Sequence, residues 1–274
     1  MSCTHFLRRR RRVIMVKSLW KFYGIYTKEV ARFLTVPLQT LITPLLTSFL
    51  YLLIFGITMG KMMTTHSGHP YFVFLLPGII LLCLIRSTYE NASGSIMIAK
   101  YTNEFQDLLT SPLSMHHIIL AKSAASITRG FVVALLTLLM GYILFYTSTN
   151  SFILFAHPLL FLLMCFLIGF IFSNIGITFS ILAKTYDHIS GFNMLILTPL
   201  TYLGGVFYDI NNLPSVWKTL SLYNPIVYMM EGLRFTFFNT SQTSFITSFL
   251  ITILSCIVSY LLACYSIIKT KNRD

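Results

Sequence analysis

Residues 152–182 read FILFAHPLLFLLMCFLIGFIFSNIGITFSIL, an apolar run without Asp, Glu, Lys or Arg. A helix of that length, at about 1.5 Å per residue, exceeds the ~30 Å hydrocarbon core of a bilayer. Comparable runs lie at 38–58, 72–96, 118–145, 189–208 and 245–268, so the sequence predicts six membrane-spanning helices. Composition agrees: of 274 residues, 55% are hydrophobic and 10% charged, whereas soluble domains carry about a quarter charged residues. A disordered chain and an ordinary soluble domain are both excluded. The fold class is an all-α membrane protein.

The segments between the runs carry the charge. Nine of the 20 basic residues precede residue 33, including Arg8–Arg12. Residues 1–15 read as a basic tail lying on anionic lipid, with Met15 an alternative start. No short apolar core and cleavage site follow the Arg run, so it is not a secretory signal. Over 16–34, Lys17, Lys21, Lys28 and Arg32 fall within about 60° on a helix of 100° per residue. Leu19, Phe22, Tyr23, Tyr26, Val30 and Phe33 gather opposite. This is the pattern of an amphipathic helix in the membrane interface, ended by Pro37.

Charge also orients the chain. With the N-terminus cytoplasmic, inner segments hold Arg8–Arg12, Lys17, Lys21, Lys28, Arg32, Lys100, Lys122, Lys184, Lys269, Lys271 and Arg273; outer segments hold Lys61, Lys218 and Arg234. The positive-inside rule therefore puts both termini, with the tail 269–274, in the cytoplasm. A basic balance concentrated at one membrane face argues for lipid and against nucleic acid. The stretch 222–238, broken by Asn224, Pro225, Glu231 and Arg234, is too short and polar to cross. It is expected to be a re-entrant or interfacial external piece before the last span.

Motifs for chemistry are weak. Gly56-Ile-Thr-Met-Gly60-Lys61 lacks one residue between its glycines for a phosphate loop and has Met62 where Ser or Thr would meet magnesium; it reads as a close-packing spot between helices. His66 and His69 lack a third ligand. His116-His117 and Asp187-His188 have no nucleophile beside them. Cys83, Cys165, Cys256 and Cys264 sit in apolar runs as small hydrophobes. Charges within the spans carry more weight, since each costs at least ~2.5 kcal/mol unless paired or hydrated. Arg86 and Glu90 share a helix face at i, i+4, and Arg129 lies near the middle of the third span. A polar pathway, a subunit interface and a buried structural network all account for them.

In the cytoplasmic loop, Asn103-Glu-Phe-Gln-Asp-Leu-Leu-Thr-Ser-Pro-Leu113 contains two i, i+4 pairs, Glu104 with Leu108 and Phe105 with Leu109, and Pro112 stops the turn. A short helix projecting into the cytosol is expected. Farther on, Leu197-Thr-Pro-Leu-Thr-Tyr-Leu-Gly-Gly-Val-Phe-Tyr208 precedes Leu213-Pro214, Trp217, Tyr223-Asn-Pro-Ile-Val-Tyr228 and Gly232-Leu-Arg234. That ordered series, with the loop Leu108–Leu113 and the basic helix before the first span, resembles the permease subunit of type 2 ABC exporters, a class that includes drug, polysaccharide and lipid-linked export systems. The similarity covers residues 16–268.

The resemblance implies a homodimer or heterodimer of permeases in a bacterial inner membrane, driven by two separate ATPase subunits that hold ATP and magnesium. This chain would bind no cofactor and catalyse no reaction itself. Glu104, Asp107, Leu108, Leu109 and Pro112 become candidates for ATPase coupling, and Asn224, Pro225 and Arg234 structural elements of an external gate. Tyr202, Phe207, Tyr208 and Trp217 suit an amphipathic substrate or an interfacial aromatic belt. Other readings are a gradient-driven carrier using Arg86, Glu90 and Arg129, a lipid-modifying membrane enzyme, and a scaffold. Against the carrier, the charged second span has no counterpart in the second half.

Overall fold

The computed structural model describes residues 20–58, 70–111, 113–150, 155–240 and 243–272. The Arg8–Arg12 run, Met15, Lys17, Lys61, His66, His69 and Pro112 lie outside these residues. The described residues form helices joined by turns, with no β-strand among them. Helix α1 covers 20–34. Helix α2, Leu38–Thr58, has a regular centre, Thr43–Tyr51, between π-helical stretches at Leu38–Ile42 and Leu52–Thr58. Pro44 has no amide to donate, and the wide turn before it accommodates the missing bond. There follow α3 (Tyr71–Tyr101), α4 (Glu104–Thr110), α5 (Met115–Thr149), α6 (Pro158–Leu182), α7 (186–202), α8 (Ser215–Leu222), α9 (Pro225–Phe238) and α10 (Phe245–Lys271).

Helix α3 is the axis of the fold. It is buried along most of its length, and α5, α6 and α9 pack around it. Leu75, Leu76, Ile79 and Ile80 of α3 meet Val133 of α5, Ile168 and Phe172 of α6, and Met230 and Leu233 of α9. Toward the C-terminal end of α3 a second cluster joins Ile96 to Phe105 and Leu109 of α4, Ile119, Ile177 and Ile267. The outward faces are equally apolar: Leu135, Leu139 and Ile143 on α5, and Leu250, Leu254 and Leu261 on α10, are exposed. That inversion suits lipid as solvent, where hydroxyls bond inward to their own helices. Thr88 Oγ1 donates to Leu84 O at 2.8 Å and Ser93 Oγ to Tyr89 O at 2.7 Å.

Without a hydrophobic drive between helices in lipid, close backbone approach is what holds α3 to α6. A Cβ on Gly176 would sit 2.8 Å from Tyr89 O and 3.3 Å from Ser93 N, both backbone atoms. Lys100 then caps the end of α6, its Nζ donating to the carbonyls of Ser180, Ile181 and Ala183 at 2.6–3.0 Å, where the helix dipole favours a cation. Gly176→Ala is expected to cost about 1–3 kcal/mol by overpacking, read as a lower unfolding midpoint of the detergent-solubilised protein; an unchanged midpoint would show that the two helices can part freely.

Among the described residues five helices are long and apolar enough to cross a membrane: α2, α3, α5, α6 and α10. The spans expected at 72–96, 118–145 and 245–268 extend to 71–101, 115–149 and 245–271, and the run at 152–182 is helical from Pro158. The run at 189–208 differs. It is helical only as α7, in consecutive pieces of 7, 5 and 5 residues with a π-helical middle at Asn193–Leu197. It then stops in turns at 203–208, where Gly205 takes φ +79°, a conformation that breaks a helix and favours glycine. Hydropathy reads 189–208 as continuous because a Gly-Gly pair interrupts the backbone without interrupting the apolar composition. At about 25 Å, α7 falls short of the hydrocarbon thickness by itself. The stretch 222–238 resolves into the end of α8, a turn at 223–224, and α9 packed against α3, α6 and α10.

Candidate functional site

A cleft of about 790 Å³ opens between α1, α2, α3, α5 and α7. Its floor is the charged face of α3. Arg86 Nε donates to Glu90 Oε1 at 2.8 Å, the i, i+4 pair that spacing predicts. Arg129 of α5 joins them, Nη2 lying 4.0 Å from Glu90 Oε2 while Nε donates to Thr40 O at 3.2 Å. Asn193 Nδ2 of α7 donates to the same carboxylate at 3.3 Å. Arg86, Glu90 and Arg129, with Asn193, thus form one cluster on three helices, and Arg86 is engaged through Nε alone among the described residues.

The next turn of α3 holds a second network that sequence reasoning missed. Glu29 of α1 accepts from Lys122 Nζ of α5 at 2.5 Å, from Ser95 Oγ of α3 at 2.6 Å and from Arg32 Nε at 3.0 Å. Arg32 Nη2 also donates to Asn91 O and Oδ1, both at 3.1 Å, and Asn91 passes a bond on to Ser126. Glu29 and Lys122 are almost wholly buried, at 8% and 3% side-chain exposure. Burial by itself would raise the Glu29 carboxyl; Lys122 and Arg32 outweigh it and hold it at about 2. The signal was present in sequence: at 100° per residue Glu29 falls about 20° from Phe22 and 40° from Phe33, an acid on the apolar stripe of α1. So α1 is not amphipathic in the simple sense expected. Its basic stripe is also engaged, Arg32 with α3 and Lys28 with Glu104 at 2.8 Å.

Helix α4 turns Phe105 and Leu109 into the core, leaves Leu108 half-buried and exposes Glu104 and Asp107. Of the coupling candidates, Glu104, Asp107 and Leu108 therefore share the accessible side, Leu109 anchors the helix, and Pro112 lies outside the described residues.

At the opposite, N-terminal end of α3, the gate candidates are brought together. Asn224 caps α9, its Oδ1 accepting from Ile226 N at 3.0 Å while Nδ2 donates to Leu200 O at 2.6 Å. Pro225 occupies the first turn of α9, where no amide donor is needed. Arg234 pairs with Glu231 at 3.0 Å, donates through Nη2 to Gly205 O at 2.6 Å, and lies 3.9 Å over the Phe74 ring. Burial pulls the Arg234 pKa down and Glu231 opposes it. Tyr71 OH of α3 donates to Phe207 O at 2.8 Å, so α3, the turn 203–208 and α9 form one closed assembly.

The remaining sequence motifs carry no shared chemistry. Gly56 packs against Phe72, whose Cδ2 would lie 2.5 Å from an added Cβ, a close approach of helices. His116 Nδ1 pairs with Tyr260 OH at 2.6 Å, and His188 Nδ1 lies 3.4 Å from Thr185 Oγ1. Cys83, Cys165 and Cys256 are buried. Among the described residues no three His, Cys, Asp or Glu side chains gather closely enough to hold a metal ion.

Residues 21–238 match the ABC-2 type transporter family. The chain is 34% identical over 256 residues to the inner membrane transport permease YadH of Escherichia coli strain K12, covering 93% of this chain and 95% of that protein. It is also 22% identical to nodulation protein J of Sinorhizobium fredii, over 82% of this chain and 84% of the relative.

Proposed function

The chain belongs to the ABC-2 type transporter family, and from that premise we propose that it is the membrane-spanning permease subunit of an ATP-driven exporter of the bacterial inner membrane. ATP and magnesium are bound and ATP is cleaved on a separate ATPase subunit. Two permeases, alike or different, enclose the pathway. Ligand affinity differs between inward and outward states, and the ATPase cycle shifts that equilibrium. Helix α7 with the turn 203–208 makes the sixth crossing, the α4 end of α3 faces the cytosol with both termini, and the assembly around Arg234 closes the external mouth. Family membership displaces the gradient-driven carrier as a favoured alternative.

The observation that carries the coupling reading is the seating of α4. Phe105 and Leu109 fix it in the core, Glu104 ties it to Lys28 of α1, and α1 in turn grips α3 and α5 through Glu29. A push on Glu104, Asp107 and Leu108 has a rigid route to the cleft. The exposed Lys28–Glu104 pair adds little stability by itself, so its changes report contact more than folding.

The test is purification in mild detergent from the native cell. Wild-type chain is expected to bring down an ATPase subunit that hydrolyses ATP; Glu104→Lys with Leu108→Asp is expected to lose it while the chain stays in the membrane and monodisperse. A chain that purifies alone, and whose activity in cells collapses with a protonophore, sinks the proposal in favour of the carrier.

A further inference from the structure

The charges around the cleft do not cancel. Arg32, Arg86 and Arg129 line it with a single carboxylate, Glu90. Glu90 is shared between Arg86 and Arg129, and Glu29 between Arg32 and Lys122. Four cations are met by two carboxylates, which leaves an excess of two positive charges. Arg86 sits midway along α3, about 22 Å from either end. At such depth a surplus of positive charge is costly unless water or an anion meets it.

The donors are also available in the form an anion needs. Arg86 contacts Glu90 through Nε alone and its side chain is 57% exposed, so both Nη groups lack a protein partner among the described residues. Guanidinium forks match phosphate oxygens in pairs, a geometry that lysine cannot supply. Beside them Val36, Ile98, Ile189 and Met194 give the cleft an apolar wall. Its volume is that of a site for a small amphiphile, not a single ion.

We infer that the cleft between α1, α3, α5 and α7 binds a phosphate-type anion on Arg32, Arg86 and Arg129, with its apolar wall receiving any attached hydrocarbon. As a statement about cargo this rests on the transporter reading above; as a binding site it does not. Glu90 then acts as the occupant of the site when no ligand is present, holding Arg86 and Arg129 toward each other and competing with the incoming anion.

The experiment is equilibrium binding of radiolabelled dodecyl phosphate to the full chain in dodecyl maltoside, with dodecylphosphocholine and inorganic phosphate as competitors. Dodecyl phosphate is expected to bind saturably and at least about tenfold more tightly than the zwitterion. Loss of one charge-assisted bond in Arg86→Gln is expected to weaken it about 10- to 100-fold. Glu90→Gln is expected to tighten it several-fold, the opposite of what damage to a structural ion pair would do. Arg86 is half exposed, so its Gln variant is expected to fold, with size exclusion as the check. The inorganic phosphate arm supports the site in either case and names its source: no displacement means a head group on a tail, displacement at matched concentration means the free anion. Equal binding of phosphocholine, or affinity unmoved by both substitutions, overturns the inference. ATPase co-purification without alkyl phosphate binding overturns this inference alone; binding without an ATPase overturns only the transporter reading.

Discussion

Glu29→Gln is expected to destabilise the protein by about 3–5 kcal/mol, because it strands the Lys122 ammonium in the interior without its counter-charge. Lys122 is 3% exposed, and its donors go to Glu29 and Ser95; a neutral amide returns only a fraction of that interaction. The pH dependence gives a second, independent readout. The Glu29 carboxyl is held at about 2 against an ordinary 4.5. A depressed folded-state pKa contributes stability that is complete above about pH 4.5 and is lost as pH falls toward 2. The shift corresponds to about 3 kcal/mol, in line with the mutational figure. Wild-type unfolding midpoints in detergent are therefore expected to fall over that window, and the gap to Glu29→Gln to narrow there. Pairing Glu29→Gln with Lys122→Met is expected to recover most of the loss, since the buried ammonium goes together with its counter-charge and the part-exposed Arg32 keeps its bonds to Asn91. A Glu29→Gln protein with wild-type midpoints at pH 7 would sink the idea that this pair fastens α1 to the bundle.

The contrast between the two charged clusters shows which parts of the site are legible in sequence. Arg86 with Glu90 is a local relation, fixed by helical spacing, and it stands as expected. Glu29 with Lys122, Arg129 with Glu90 and Arg32 with Asn91 join residues 39 to 93 positions apart. No spacing rule reaches that far; only the packing of α1 and α5 on α3 makes them neighbours. On α1 the apolar stripe is divided: Phe33 is buried, Phe22, Tyr26 and Val30 are half-buried, and Tyr23 is exposed. Its exception, Glu29, is the residue that fastens the helix. The same division holds for the fold. Runs of apolar residues locate α2, α3, α5, α6 and α10, because each must satisfy its own backbone in lipid. The end of α7 depends on Gly205 at positive φ and on the carbonyl that Gly205 offers to Arg234, and hydropathy is blind to both.

Arg234→Met is the complementary experiment at the other end of α3, and a loss of about 3–5 kcal/mol is expected there too. Glu231 is buried at 1% side-chain exposure, and the substitution takes away the guanidinium that pairs with its carboxylate at 3.0 Å. Two further contacts go at once: the bond to Gly205 O at 2.6 Å that anchors the turn 203–208, and the stacking on Phe74. Arg234→Lys separates these contributions. It keeps the charge for Glu231, but a single ammonium cannot also hold Gly205 O in the planar fork or lie flat on the ring. Its loss is expected to be intermediate, about 1–3 kcal/mol. Because Tyr71 OH holds the same turn through Phe207 O, the lysine variant is expected to keep 203–208 ordered and the methionine variant to release it. Limited proteolysis of the detergent-solubilised protein reads that difference as new cleavage between α7 and α9. If Arg234→Met is no more susceptible than wild type and unfolds at the same midpoint, the buried pair does not hold this closure, and the proposed external gate would have to rest on Asn224 and the apolar contacts of α9 alone.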